Sequence, residues 1–132
     1  MFDKIVVPTD GSELAEKAVD YAIEYCRRTG ATMTAVYVRS PTFPEHIERM
    51  ETHGSELLER VAERARSQGV ECATVQAVND QTYLAIIEVT EQQGCSMIFM
   101  ASHGRSGVGA LLLGSVTQKV LVHSKIPVLV FR

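Results

Sequence analysis

The sequence predicts one α/β domain over residues 1–132, an open five-stranded parallel sheet with helices on both faces. Three observations carry this expectation. Short apolar runs alternate with longer segments whose apolar residues recur every fourth position, from an opening strand to a closing one. Gly30, Gly69 and Gly94 each follow one of the helical segments, as helix-ending glycines do. The length, 132 residues, suits a single domain, and no repeat, linker or low-complexity tract divides it. Repeated strand–helix–strand units join parallel strands through right-handed crossovers.

The first strand is Ile5-Val6-Val7-Pro8, whose unbroken apolar character suits a strand covered on both faces. Ser12 then offers an N-cap, with Glu13 and Glu16 in the first turn. Leu14, Ala18, Ala22 and Cys26 give that helix one apolar face, and Arg27 and Arg28 suit its negative end. A second strand covers 32–38, followed by a loop at Pro41 and Pro44. The next helix starts near 45 or near 55, because Gly54 interrupts the pattern, and runs to 68 with Leu57, Leu58, Val61, Ala62 and Ala65. Residues 72–77 form a more polar third strand. A third helix over 81–93 carries Leu84 and Ile87. Met97-Ile98-Phe99-Met100 is the fourth strand, a glycine-rich loop follows, and a short helix over 115–124 leads to the last strand at 128–131.

Composition limits the function. Hydrophobic residues at 45% and charged residues at 22% are ordinary for a folded globular chain and argue against disorder. Thirteen Lys and Arg against sixteen Asp and Glu leave a net charge of −3, which disfavours nucleic acid or an anionic membrane as partner. No apolar run reaches the ~18 to 20 residues of a membrane span. The N-terminus enters a strand pattern directly, without the flanks of a signal peptide. A cytoplasmic location is the expectation. Cys26, Cys72 and Cys95 are odd in number, lack CxxC spacing and lie in or beside apolar segments, so they read as reduced core residues.

Two stretches carry the chemistry. Ala101-Ser102-His103-Gly104-Arg105-Ser106-Gly107-Val108-Gly109 begins at the tip of a buried strand, and Gly114-Ser115-Val116-Thr117 opens a helix. Glycines admit close backbone approach to an anion, and a helix start adds its positive end. Ser115 or Thr117 can add a hydroxyl. No Gly-Lys-Ser or Gly-Lys-Thr occurs, so this is not a Walker loop, and an ordinary flexible loop with a Gly-Ser cap remains the alternative. The second stretch, Pro8-Thr9-Asp10-Gly11-Ser12, either caps the first helix or presents Asp10 to a ribose hydroxyl or a metal. Ligands of such sheets bind beyond the carboxyl ends of the strands, where the strand order reverses.

Taken together, Pro8-Thr9-Asp10-Gly11-Ser12, the stretch 100–116 and Ile126-Pro127-Val128-Leu129-Val130 resemble the universal stress protein family over essentially the whole chain. The ATP-binding branch of that family carries Gly, two residues, Gly, nine residues, then Gly with Ser or Thr. Gly104, Gly114 and Ser115 match this pattern, and Ala101 stands where its first glycine would be. The resemblance implies a Rossmann-like fold of the adenine nucleotide alpha hydrolase kind, with strand order 3-2-1-4-5. It implies that Asp10 meets ribose or metal, that the Val38 backbone pairs with adenine, and that Ala101, Gly104, Gly114, Ser115 and Val116 line the phosphates. The full expected nucleotide set is Pro8, Thr9, Asp10, Ser12, Val38, Ala101, His103, Gly104, Arg105, Gly114, Ser115, Val116 and Thr117, with Asp10 the metal ligand. His103 and Arg105 are read either as phosphate contacts or as water-exposed loop residues.

Other residues read as ordinary surface. His46 and His53 share a helical face without a known metal spacing, and His123 and Lys125 suit the negative end of the last helix. Ser12 and Ser115 read as helix caps, and no Ser-His-Asp set has supporting context. The expectation is therefore an ATP-, ADP- or AMP-binding regulatory protein of the stress response with little or no hydrolysis, accompanied by Mg2+. The alternatives are a dimeric stress or scaffold module without nucleotide and a slow metal-dependent ATPase. A homodimer through strand 126–131 is expected, because an apolar strand at a sheet edge invites a second copy.

Overall fold

The computed structural model describes residues 1–41, 44–104 and 113–132. Its strands are β1 (Lys4–Pro8), β2 (Thr32–Arg39), β3 (Cys72–Val78), β4 (Met97–Ala101) and β5 (Val128–Phe131). Its helices are α1 (Glu13–Thr29), α2 (Pro44–Ser67), α3 (Thr82–Gln92) and α4 (Ser115–His123). All strand pairings are parallel, in the order β3-β2-β1-β4-β5.

Side-chain alternation along the central strand divides the core in two. Ile5 and Val7 join Val19, Ile23, Leu58, Val61 and Phe99 on one face, which α1 and α2 cover. Val6 joins Val36, Ile86, Val89, Ile98 and Val120 on the other, under α3 and α4. Ile5, Val6 and Val7 are fully buried, as the apolar run at 5–7 requires. The chain winds from β1 to β2 on one side and places β4 on the other. The switch point lies between β1 and β4, which pair through Ile5↔Met97 and Val6↔Ile98.

Local signals act where expected in α1. The Ser12 hydroxyl accepts from the Ala15 N–H at 3.3 Å. Gly30, with φ 80°, donates its N–H to the Cys26 carbonyl at 2.9 Å. At the exposed end, Arg27 and Arg28 both bond Glu24 and hold its carboxyl down at about 2.

Elsewhere tertiary contact overrides the local pattern. α2 passes through Gly54 unbroken from Pro44 to Ser67. A Cβ at Gly54 would lie 2.7 Å from Tyr37 Cδ1 and 2.8 Å from the Gln76 amide. The glycine is therefore the place where α2 presses against β2 and β3, rather than a helix boundary. β4 extends one residue past the expected end, because Ala101 pairs with Phe131 of β5. The buried face of α3 consists of Ala85, Ile86, Val89 and Thr90, with Leu84 and Ile87 beside it rather than at its centre. Ser115 is not a cap: the N-cap of α4 is Gly114, and Ser115 is the first helical residue, exposed to solvent.

Candidate functional site

The tip of β1 is built by three short hydrogen bonds. Thr9 N–H donates to Val36 O at 2.8 Å, which extends the strand pairing by one residue. The Thr9 hydroxyl accepts from Gly11 N–H at 3.1 Å, and the Asp10 carboxylate accepts from Ser12 N–H at 2.9 Å. This turn needs a left-handed residue at its centre, and Gly11 supplies it with φ 80°. Thr9 also reaches Glu16 at 3.5 Å, and Glu16 takes a 2.6 Å bond from Arg64 of α2. The turn is thus braced from the α1–α2 side and turns Asp10 toward β4.

The tip of β4 is fastened to the start of α4. Ser102 N–H donates to Phe131 O, and Ser102 O accepts from Gly114 N–H, both at 2.7 Å. The Thr117 hydroxyl donates to Ala101 O at 2.8 Å, so it serves this joint. Ser102 Oγ lies 3.3 Å from His103 Nδ1. A Cβ at Gly114 would sit 3.2 Å from His103 Cα and 3.4 Å from Ser102 O. The N-cap Gly114 has no side chain to offer, and among the described residues no side-chain cap bond is made at the start of α4.

Both tips open on one cavity of about 320 Å³, a volume within the range of small-molecule sites. Pro8, Thr9 and Asp10 form one rim. Ala101, His103, Gly104, Gly114, Ser115, Val116 and Thr117 form the opposite one, and Val38 lies at the end of β2. Ser12 does not line it and acts as the helix cap. Arg105 lies outside the described residues. Five lining residues escaped the sequence reading: Ala15, Val36, Thr82, Ile86 and Met100. Their signal was present, since Thr82 and Ile86 are four apart on a helix and Val36 and Val38 two apart on a strand. What the sequence lacked was the packing that turns those faces toward the cavity.

Val38 has a particular position. Val36 O points toward β1, where it accepts from Thr9. Strand alternation sends the Val38 N–H and C=O to that same side, where the paired register of β1 has ended at Pro8↔Val36. One donor and one acceptor therefore face the space beyond the strand tip. Of the described lining residues, Asp10 and His103 are the ionisable ones.

The other candidates fall elsewhere. His53 packs edge-on against Tyr37 at 5.7 Å, and His46 Nδ1 lies 3.2 Å from Arg49. Among the described residues no group of three His, Cys, Asp or Glu could hold a metal ion. His123 stacks on Tyr83 at 5.0 Å, with Lys119 Nζ 5.5 Å from the same ring. Cys26 and Cys95 are buried and Cys72 is half-buried, all three as free thiols. No described helix is long and apolar enough to cross a membrane.

The sequence model of the universal stress protein family matches residues 1–132. Universal stress protein YxiE of Bacillus subtilis is 30% identical, with all of both chains covered. The structure of the hypothetical protein MJ0577 superposes with a TM-score of 0.86 at 26% identity, covering 98% of this chain and 95% of that one. A universal stress protein in complex with cAMP superposes at 0.80 and 22% identity, covering 98% and 97%.

Proposed function

This chain belongs to the universal stress protein family, and from that premise we propose that it is a stress-response regulatory protein that binds an adenine nucleotide (ATP, ADP or AMP) with little or no hydrolysis. The observation that carries the reading is the N-terminus of α4, where the N-cap Gly114 brings no side chain and which opens on the same cavity as Asp10 and Val38. An anion there finds first-turn N–H groups and the positive end of a helix. The Val38 N–H and C=O suit the paired donor and acceptor on the edge of adenine. Val36, Ile86 and Met100 supply apolar walls for the base. Asp10 would hold ribose hydroxyls, or a Mg2+ ion accompanying the nucleotide, since Mg2+ often takes only one or two carboxylates from a protein.

The solved relative in complex with cAMP makes adenine nucleotides the first ligands to test. Turnover would need a positioned base, and Asp10 is the one carboxylate among the described lining residues. That composition supports binding without efficient hydrolysis. A cytoplasmic location and a homodimer through β5 belong to the same proposal. The nucleotide-free dimeric module is the second reading, favoured by Ala101, whose methyl group stands at the cavity wall where the motif has glycine.

The test is to denature the purified protein and identify any released nucleotide by mass spectrometry, then to titrate the protein with ATP, ADP and AMP. Dissociation constants in the micromolar range or below support the binding reading. Absence of binding by all three overturns it in favour of the nucleotide-free module.

A further inference from the structure

Two glycines of the motif, Gly104 and Gly114, have no positive φ, unlike Gly11, Gly30, Gly69 and Gly94. No positive φ calls for glycine at either position, and what sets the two apart is the space a Cβ would need. At Gly114 that space holds the backbone and Cβ of His103, within its own loop joint. At Gly104 the space holds a side chain from the other half of the sheet. A Cβ there would overlap Asp10 Oδ2 and lie 3.4 Å from Asp10 Cγ. Asp10 is held in that place by its bond from Ser12 N–H at 2.9 Å, in a turn braced by Thr9 and Gly11.

We propose that Gly104 is a positioning residue for Asp10: its bare backbone is the seat on which the carboxylate rests, and the glycine serves the ribose or metal side of the cavity rather than the phosphate side. The inference rests on the nucleotide-binding reading for its ligand arms only. A methyl group at 104 displaces the carboxylate from its seat, because the turn fixes the other carboxylate oxygen. The strand tips of β1 and β4 are then coupled through one side chain and one missing side chain.

A double-mutant comparison decides this. Gly104→Ala is made in the parent, in Asp10→Ala and in Asp10→Asn. In the parent and in Asp10→Asn, which keeps the volume, it lowers the melting temperature by about 3 to 5 °C. In the Asp10→Ala background the decrease disappears, because the overlapping atoms are gone. An equal decrease in all three backgrounds, or none in the parent, overturns the seat. The ligand arms compare adenosine, which has no phosphate, with ADP. Gly104→Ala weakens both by the same factor, about 10-fold for the loss of one hydrogen bond to a charged group. A loss confined to ADP overturns the proposal in favour of crowding at the phosphates. A parent that binds neither ligand rejects the nucleotide reading, and the melting comparison still decides the seat.

Discussion

On the proposed nucleotide reading, Ser115 should separate binding from folding, because it stands one residue inside the helix. Gly114 holds the cap position, and the Ser115 side chain is exposed at the cavity rim. A hydroxyl donating to a phosphate contributes about 1.5 to 3 kcal/mol, as bonds to charged groups do. Ser115→Ala should therefore weaken ATP binding by about 10- to 100-fold while the melting temperature stays within a degree of the parent's. Calorimetric titration beside a melting curve reads both, and a drop in stability without a drop in affinity would return Ser115 to a structural role. The cysteines differ by the same logic of position. Burial pushes the Cys26 thiol up to about 11 and raises Cys95 and Cys72 as well. Only the thiolate reacts, so at pH 8 the unreacted fraction stays high. Cys72, half-buried on the edge strand β3, should take iodoacetamide before Cys26 and Cys95, as peptide mapping of a time course will show.

At the scale of elements, Gly54 sets two effects against each other. Replacing a mid-helix glycine with alanine improves helix propensity by about 1 kcal/mol. Here the new Cβ would press on Tyr37 and Gln76 at 2.7 to 2.8 Å, and Gln76 is itself bonded to the Glu51 carbonyl at 3.2 Å. Overpacking of that kind costs about 1 to 3 kcal/mol. The balance favours destabilisation: Gly54→Ala should lower stability by up to about 2 kcal/mol in urea unfolding. A stabilised variant would mean that α2 can lift off β2 and β3 without cost. The same close approach explains how a helix runs through a residue that usually stops one.

For the whole molecule, the two edges of the sheet are unlike. β3 exposes Ala73, Thr74 and, at its end, Val78 at 50%, whereas β5 presents Val128, Leu129 and Val130 in succession, with Leu129 44% exposed. Val122 on the neighbouring α4 is 76% exposed. An unpaired apolar edge is relieved by a second copy, and a two-fold pair is the commonest closed solution. The proposed homodimer should give twice the chain mass by light scattering at micromolar concentration, and Val130→Lys should shift it toward monomer without lowering helix content. A parent that runs as a monomer would remove β5 as the contact.

Sequence alone determined the element order, the buried first strand, the Ser12 and Gly30 caps of α1 and the residues of 8–10, 101–104 and 114–117 that line the cavity, because each is written in neighbouring residues: apolar period, capping side chain, glycine spacing. The register that carries β4 on to Ala101, the passage of α2 through Gly54 and the shift of the α4 cap from Ser115 to Gly114 were decided by tertiary structure. So were the turning of Thr82, Ile86 and Met100 into the cavity and the seating of Asp10 against Gly104. The physical reason is the same in each case. A local signal states what a segment prefers, whereas the space left for a Cβ, or the partner of a hydroxyl, is fixed by atoms dozens of residues away that only folding brings within reach.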